Sequence, residues 1–212
     1  MTDLNFHITT PRLYLSRFQA NSDVHCDFLL ELYNTPEIFK GNGGVAKQLD
    51  TREDARKSII LNSERQEETG YGRYIISLRP IDSEATPKPP FTEIEDILVK
   101  IGLVSLKVRK HPDAPKVPDL GFHLFPKYWG KGYATEAVTA TIEYFEKEQG
   151  LKDLAGYCNP DNEESKKMFR RLGFVERGQR LLKLGGRLDD PGVNALVWTR
   201  SGMTEDLTHY GL

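Results

Sequence analysis

The chain has 212 residues, 28% of them charged, and a formal net charge of −2. That length suits one domain burying roughly 70% of its unfolded surface, and the near-neutral balance lacks the basic footprint of a nucleic-acid binder. No charged start precedes an apolar run, no apolar stretch reaches the ~18 residues of a membrane span, and the two cysteines, Cys26 and Cys158, suit a reducing compartment, so a cytoplasmic chain with no membrane partner is expected.

Residues Leu13 to Arg17 alternate as a strand, and Asp23 to Tyr33 reads as a helix that Pro36 ends. Asn42-Gly43-Gly44 makes a loop. Thr51, with Asp54 three residues on, is placed to cap a helix from Arg52 to about Glu67, and Gly70 and Gly72 open a strand from Tyr74 to Leu78. The segment from Arg79 to Asp96, with four prolines among acidic residues, reads as an enlarged hairpin loop, since its partner strand Leu98 to Val108 follows directly. Glu95 and Asp96 read as solvated loop charges. A second proline-bearing loop, Lys110 to Pro118, leads into a strand from Leu120 to Phe125.

The stretch Tyr128 to Ala137 reads YWGKGYATEA. Two glycines one residue apart, delivering a strand into a helix, present several unpaired N–H groups to one point, backed by roughly half a positive charge from the helix dipole. Gly130 and Gly132 have no Cβ to hold an anion away and tolerate positive φ. As a bare turn the pair needs no ligand. A Walker-type loop and a G-x-G-x-x-G fingerprint both fail on spacing, since Thr135 stands where the latter needs its third glycine. Ala134, Ala137, Val138, Thr141, Ile142 and Phe145 then mark an amphipathic helix closed at Gly150. A strand from Asp153 to Cys158, a turn at Asn159 to Asn162, a helix from Glu163 to Arg171 and strands at Phe174 to Leu184 and Val193 to Thr199 complete the series, with a polar tail after Ser201.

In this order the chain resembles the GNAT family of N-acetyltransferases, in its RimJ/RimL-like branch. The matching residues are Pro126, Tyr128 through Ala137, Asn162 with Ser165, Leu172-Gly173-Phe174, and the opening TTPRLYLSRF from Thr9 to Phe18. The resemblance spans about residues 8 to 200 and implies a single α/β GNAT domain: a twisted, mixed, mostly antiparallel sheet of about seven strands flanked by about four helices. Trp129 replaces the first Gln or Arg of the general superfamily turn, so phosphate contact there falls to the main chain or the indole N–H.

What the resemblance implies for chemistry is acetyl transfer from acetyl-coenzyme A to a primary amine, on a protein N-terminus or a small molecule, within a ternary complex. No metal takes part. The cofactor diphosphate would lie on the main chain of Gly130, Lys131, Gly132, Tyr133 and Ala134, beside Trp129. The acyl arm would run along Phe122, His123 and Leu124, with a backbone N–H near Leu124 as oxyanion donor. Ser165, helped by Asn162, would protonate the departing thiolate, since Phe169 stands where many relatives use tyrosine; as a serine in a first helical turn it needs no such role. Asp119 is the first candidate for general base and His123 the second. Cys158 offers a minor covalent route but reads as inert packing. The loop at Asn42 to Gly44 would line the acceptor pocket, and the acidic segment Asp82 to Asp96 hints at a cationic acceptor. A non-catalytic acyl-coenzyme A sensor is the alternative, and monomer and homodimer both remain open.

Overall fold

The computed structural model describes residues 3, 5–41, 49–80, 90–185 and 188–212. Eight strands form one sheet: β1 (His7–Thr9), β2 (Leu13–Arg17), β3 (Arg73–Leu78), β4 (Lys100–Lys107), β5 (Asp119–Leu124), β6 (Ala155–Cys158), β7 (Val175–Leu182) and β8 (Val193–Thr199). Their order across the sheet is β1-β2-β3-β4-β5-β6-β8-β7. Every neighbouring pair runs antiparallel except β5 and β6. The strand beyond the expected seven is β1, which pairs Ile8 with Leu15 of β2. Three residues are too few to show a period of two.

The four expected helices are α1 (Asp23–Tyr33), α3 (Arg52–Thr69), α5 (Tyr133–Gln149) and α6 (Glu163–Arg171), joined by short α2 (Pro36–Gly41) and α4 (Phe91–Ile94). Pro36 therefore opens a new helix as well as closing the old one, in the first-turn position where its missing N–H costs nothing. Thr51 and Asp54 form the reciprocal capping box read from the sequence.

Strand alternation sends side chains to two layers. Tyr74, Ile76, Val104, Leu106 and Trp198 of the strands pack with Phe145 of α5, whereas Ile75 and Leu103 pack on the other face with Leu29 and Leu32 of α1 and Ile59 of α3. Each such side chain contributes about 1.5–3 kcal/mol on burial.

Two expectations are corrected. The segment after Ser201 is not a polar tail: Met203, Leu207 and Tyr210 are buried against Val117 and Ala155, and Lys116 donates its backbone N–H to the Tyr210 carbonyl at 2.8 Å. The acidic segment is ordered where it rejoins the sheet, with the Phe91 ring stacked on His7 at 4.2 Å, while residues 81–89 lie outside the described residues. Glu95 is not a solvated charge. It is 2% exposed and accepts a hydrogen bond from the Gln19 amide at 2.5 Å.

Next to Glu95, His25 is fully buried and its Nδ1 accepts the Gln19 backbone N–H at 3.0 Å. Burial pushes its pKa down from 6.5 to about 4, Lys100 adding to the shift and Asp96 opposing it. An unfolded histidine takes up a proton that the folded one refuses, so this contribution to stability is whole above pH 6.5 and is lost as pH falls toward about 4. Thermal melts are expected to decline between pH 6.5 and 5, with His25→Gln showing a shallower slope; a flat profile in both proteins would contradict the assignment.

Candidate active site

From the end of β5 the chain makes a 3₁₀ turn, Pro126–Tyr128, and enters α5 through Trp129 to Gly132. Gly130 and Gly132 sit at φ +71° and +79°, in the left-handed region. Gly132 is the N-cap of α5 and supplies no side-chain acceptor, so the first N–H groups of the helix meet no cap of that kind. A Cβ built on Gly130 would meet nothing within 4 Å, which leaves open space in front of the turn. A main-chain cradle of this shape fits a diphosphate. The indole N–H is already engaged: Trp129 donates it to the Leu124 carbonyl at 2.7 Å, pinning the turn to β5. The indole N–H therefore has no bond to spare for an anion at this turn.

A guanidinium does reach the turn, from the other end of the sequence. Arg12 donates from Nε to Glu136 Oε2 at 2.6 Å and from Nη1 to the Lys131 carbonyl at 3.0 Å, and its guanidinium carbon lies 4.6 Å from the centre of the Tyr133 ring. Thr10 Oγ1 and the Arg12 backbone N–H both donate to Glu136 Oε1, at 2.6 and 3.0 Å. Burial opposes ionisation of Glu136, but these donors outweigh it and hold its pKa below the ordinary value. Thr10 and Arg12 belong to the opening motif, whose task the sequence alone left unexplained. Its signal was the motif itself, standing at the start of β2.

The sheet opens beside this turn. Strands β5 and β6 pair only at Asp119 with Ala155 and Leu120 with Gly156. Because the Phe125 N–H donates to the Ile101 carbonyl at 3.0 Å, antiparallel alternation turns the backbone groups of His123 toward β4 and those of Phe122 and Leu124 toward β6, beyond the last paired residue. Gly102 permits the close approach of β4 at this point, since a Cβ there would lie 2.1 Å from the His123 carbonyl oxygen.

The profile of the acetyltransferase (GNAT) domain family matches residues 12–175. The chain belongs to the GNAT acetyltransferase family. The uS5-alanine N-acetyltransferase of Escherichia coli (strain K12) is 33% identical over 85 residues, covering 38% of this chain and 44% of that enzyme. The YkkB protein of Bacillus subtilis (strain 168) is 25% identical over 143 residues, 68% of this chain and 71% of its own. Among solved structures, a Salmonella typhimurium acetyltransferase that modifies the N-terminal serine of ribosomal protein L7/L12 superposes with a TM-score of 0.64 at 18% identity, covering 92% of this chain and 98% of that one. These likenesses agree with the RimJ/RimL-like resemblance, and GNAT enzymes use acetyl-coenzyme A as the acyl donor.

In this GNAT chain Ser165 is half-buried in the first turn of α6, one turn before buried Met168 and Phe169. Asn162 is the N-cap: its Oδ1 accepts the Ser165 N–H at 3.0 Å, and its Nδ2 donates to the Gly41 carbonyl at 3.0 Å. Its amide is thus committed to holding α6 against α2 and is not free to assist Ser165. Phe169 is core, stacked on Trp198 at 5.5 Å with Gly156 leaving room for its ring.

The base candidates are both disfavoured. Both oxygens of Asp119, which is 4% exposed, are occupied by Arg109, Oδ2 by Nε at 2.5 Å and Oδ1 by Nη2 at 2.8 Å. Burial limits an amine's access to it, and the two-bond tie to a cation disfavours its taking up a proton. His123 projects to the opposite face from Phe122 and Leu124, edge-on to Tyr33 with ring centres 6.0 Å apart. Burial, Lys107 and Arg73 push its pKa down to about 3, so it is neutral at pH 7 and a feeble base. Cys158 is buried with its pKa raised by burial, consistent with packing. The loop Asn42 to Gly44 lies outside the described residues.

Proposed function

We propose that this chain is a cytoplasmic N-acetyltransferase that moves the acetyl group of acetyl-coenzyme A to a primary amine by direct attack. The observation that carries this reading is the pairing of β5 and β6, which stops at Leu120 and leaves the backbone of Phe122 and Leu124 facing a gap that ends at the glycine turn. The main chain of Gly130 to Ala134 holds the diphosphate, and the gap receives the thioester arm. The thioester supplies an electrophilic carbonyl carbon at that gap. The Leu124 N–H is placed to receive the carbonyl oxygen, a type of donor that contributes a factor of about 10² to 10³ in rate. As the amine nitrogen bonds to the carbonyl carbon and the carbon–sulfur bond breaks, Ser165 gives a proton to the thiolate, and the proton shed by the amine nitrogen returns to the serine through solvent, leaving a neutral amide and a free thiol.

No dedicated base is required if the acceptor is an α-amine, because a group with pKa near 8 is about a tenth neutral at pH 7. Release of free thiol from acetyl-coenzyme A across an amine panel, with mass spectrometry of the products, tests the activity. Binding of the donor with no amine-dependent release would instead make the chain a sensor. Ser165→Ala is expected to lower kcat severalfold while leaving donor affinity unchanged, because the proton is needed only as the thiolate departs. An unaltered kcat removes Ser165 from the reaction.

A further inference from the structure

Arg12 is a cation brought to the wrong end of a helix. The N-terminus of α5 carries the positive pole of the helix dipole, so a guanidinium there is unfavourable unless an acid offsets it. Glu136, in the first turn, supplies that offset: it takes Arg12 Nε on one oxygen, and Thr10 Oγ1 with the Arg12 backbone N–H on the other. The Arg12 side chain is 47% exposed, so burial is not what draws it to this place.

The third bond, from Nη1 to the Lys131 carbonyl at 3.0 Å, explains the position. Across a planar trans peptide, a carbonyl and the N–H that follows it point in opposite directions. Holding the Lys131 carbonyl toward Arg12 therefore turns the Gly132 N–H away from Arg12. Gly132 has positive φ and no Cβ, so its own backbone would tolerate the flipped peptide as well. The N–H groups of Lys131 and Gly132 donate to no described residue, so nothing else recorded in the turn selects one orientation over the other. The Tyr133 ring, centred 4.6 Å from the guanidinium carbon, packs against the fork.

We propose that Arg12 is a positioning residue of the donor site: through the Lys131 carbonyl it aims the Gly132 N–H at the cofactor diphosphate, and Glu136 holds Arg12 in place. This rests on the acetyl-transfer reading and gives the opening motif its task there. A lysine is no substitute, because an ammonium is a point charge, whereas the planar guanidinium reaches Glu136 through Nε and Lys131 through Nη1 at once.

The test compares coenzyme A with pantetheine, which carries the same thiol arm without the diphosphate, by equilibrium titration of the full chain. Arg12→Gln is expected to lower the preference for coenzyme A over pantetheine about tenfold, the worth of one hydrogen bond to a charged group. An arginine with a purely structural role would weaken both ligands alike and leave the preference where it was. Arg12→Lys keeps the charge but loses the fork, and should lose most of the preference too. Glu136→Gln separates aim from charge by the direction of its effect. Deleting a negative charge near a diphosphate would by itself tighten coenzyme A binding, whereas releasing Arg12 loosens it, and a severalfold loosening is expected. An unchanged preference in Arg12→Gln, full preference in Arg12→Lys, or tighter binding in Glu136→Gln each overturns the proposal while the acetyl-transfer reading stands. If the unaltered protein shows no preference for coenzyme A, the diphosphate is not held at this turn, and that reading falls together with the proposal.

Discussion

Gly132→Val is expected to weaken acetyl-coenzyme A binding at least about tenfold, some 1.4 kcal/mol, in calorimetric titration. The glycine stands at φ +79°, where a β-branched residue is a steric outlier, so valine forces the N-cap of α5 to rotate. That rotation turns the first helical N–H groups away from the point on which they converge. A Cβ would also come within 3.3 Å of Arg12 Nη2, disturbing the side chain that holds Lys131 and Glu136. Gly130→Ala provides the milder comparison, since its Cβ meets nothing and the cost is that of φ alone. The strained φ itself costs about 1–2 kcal/mol, so the melting temperature should fall by a few degrees while the variant stays folded at the temperature of the titration. Unchanged affinity in the valine variant would mean that the diphosphate is held elsewhere, and the functional reading would fall with it.

Asp119→Asn is expected to cost about 3 kcal/mol of stability, because removing one partner of a buried ion pair leaves the other charge uncompensated. Arg109 would keep its hydrogen bond to the Leu184 carbonyl at 2.7 Å but lose the carboxylate that faces it through two bonds. The pair ties the start of β5 to the chain leaving β7, so its loss loosens the place where β5 and β6 begin to part. At about 2–4 °C per kcal/mol for a domain of this size, the melting temperature should drop by roughly 6–12 °C. A general base would give the opposite signature, an intact melting temperature with kcat lost. That result would restore Asp119 to the chemistry.

Most of the local architecture was legible because it depends on neighbours in sequence. The capping box at Thr51, the left-handed closure at Gly150, and the strand, glycine turn and helix from β5 to α5 are all formed by residues a few positions apart. Short elements escaped for the same reason: β1 and α4 have too few residues for a period, and their stability comes from packing, as in the stack of Phe91 on His7. The tail after Ser201 looked polar because its three buried apolar residues, although at i, i+4 and i+7, stand among polar neighbours and find their surface only on Val117 and Ala155.

By itself, then, the order of residues determined the glycine turn into α5, since glycine's freedom at positive φ and the unpaired N–H groups of a helix start are properties of the backbone. Tertiary structure alone decided which side chains serve that turn and what lies across the sheet from it. Arg12 meets Lys131 across 119 positions, and Asp119 meets Arg109 instead of a substrate. Arg73 and Lys107 share a face because strand register, a long-range outcome of hydrophobic burial, sets them there. Charges respond to distance in space, and no spacing along the chain records that distance before the sheet has formed.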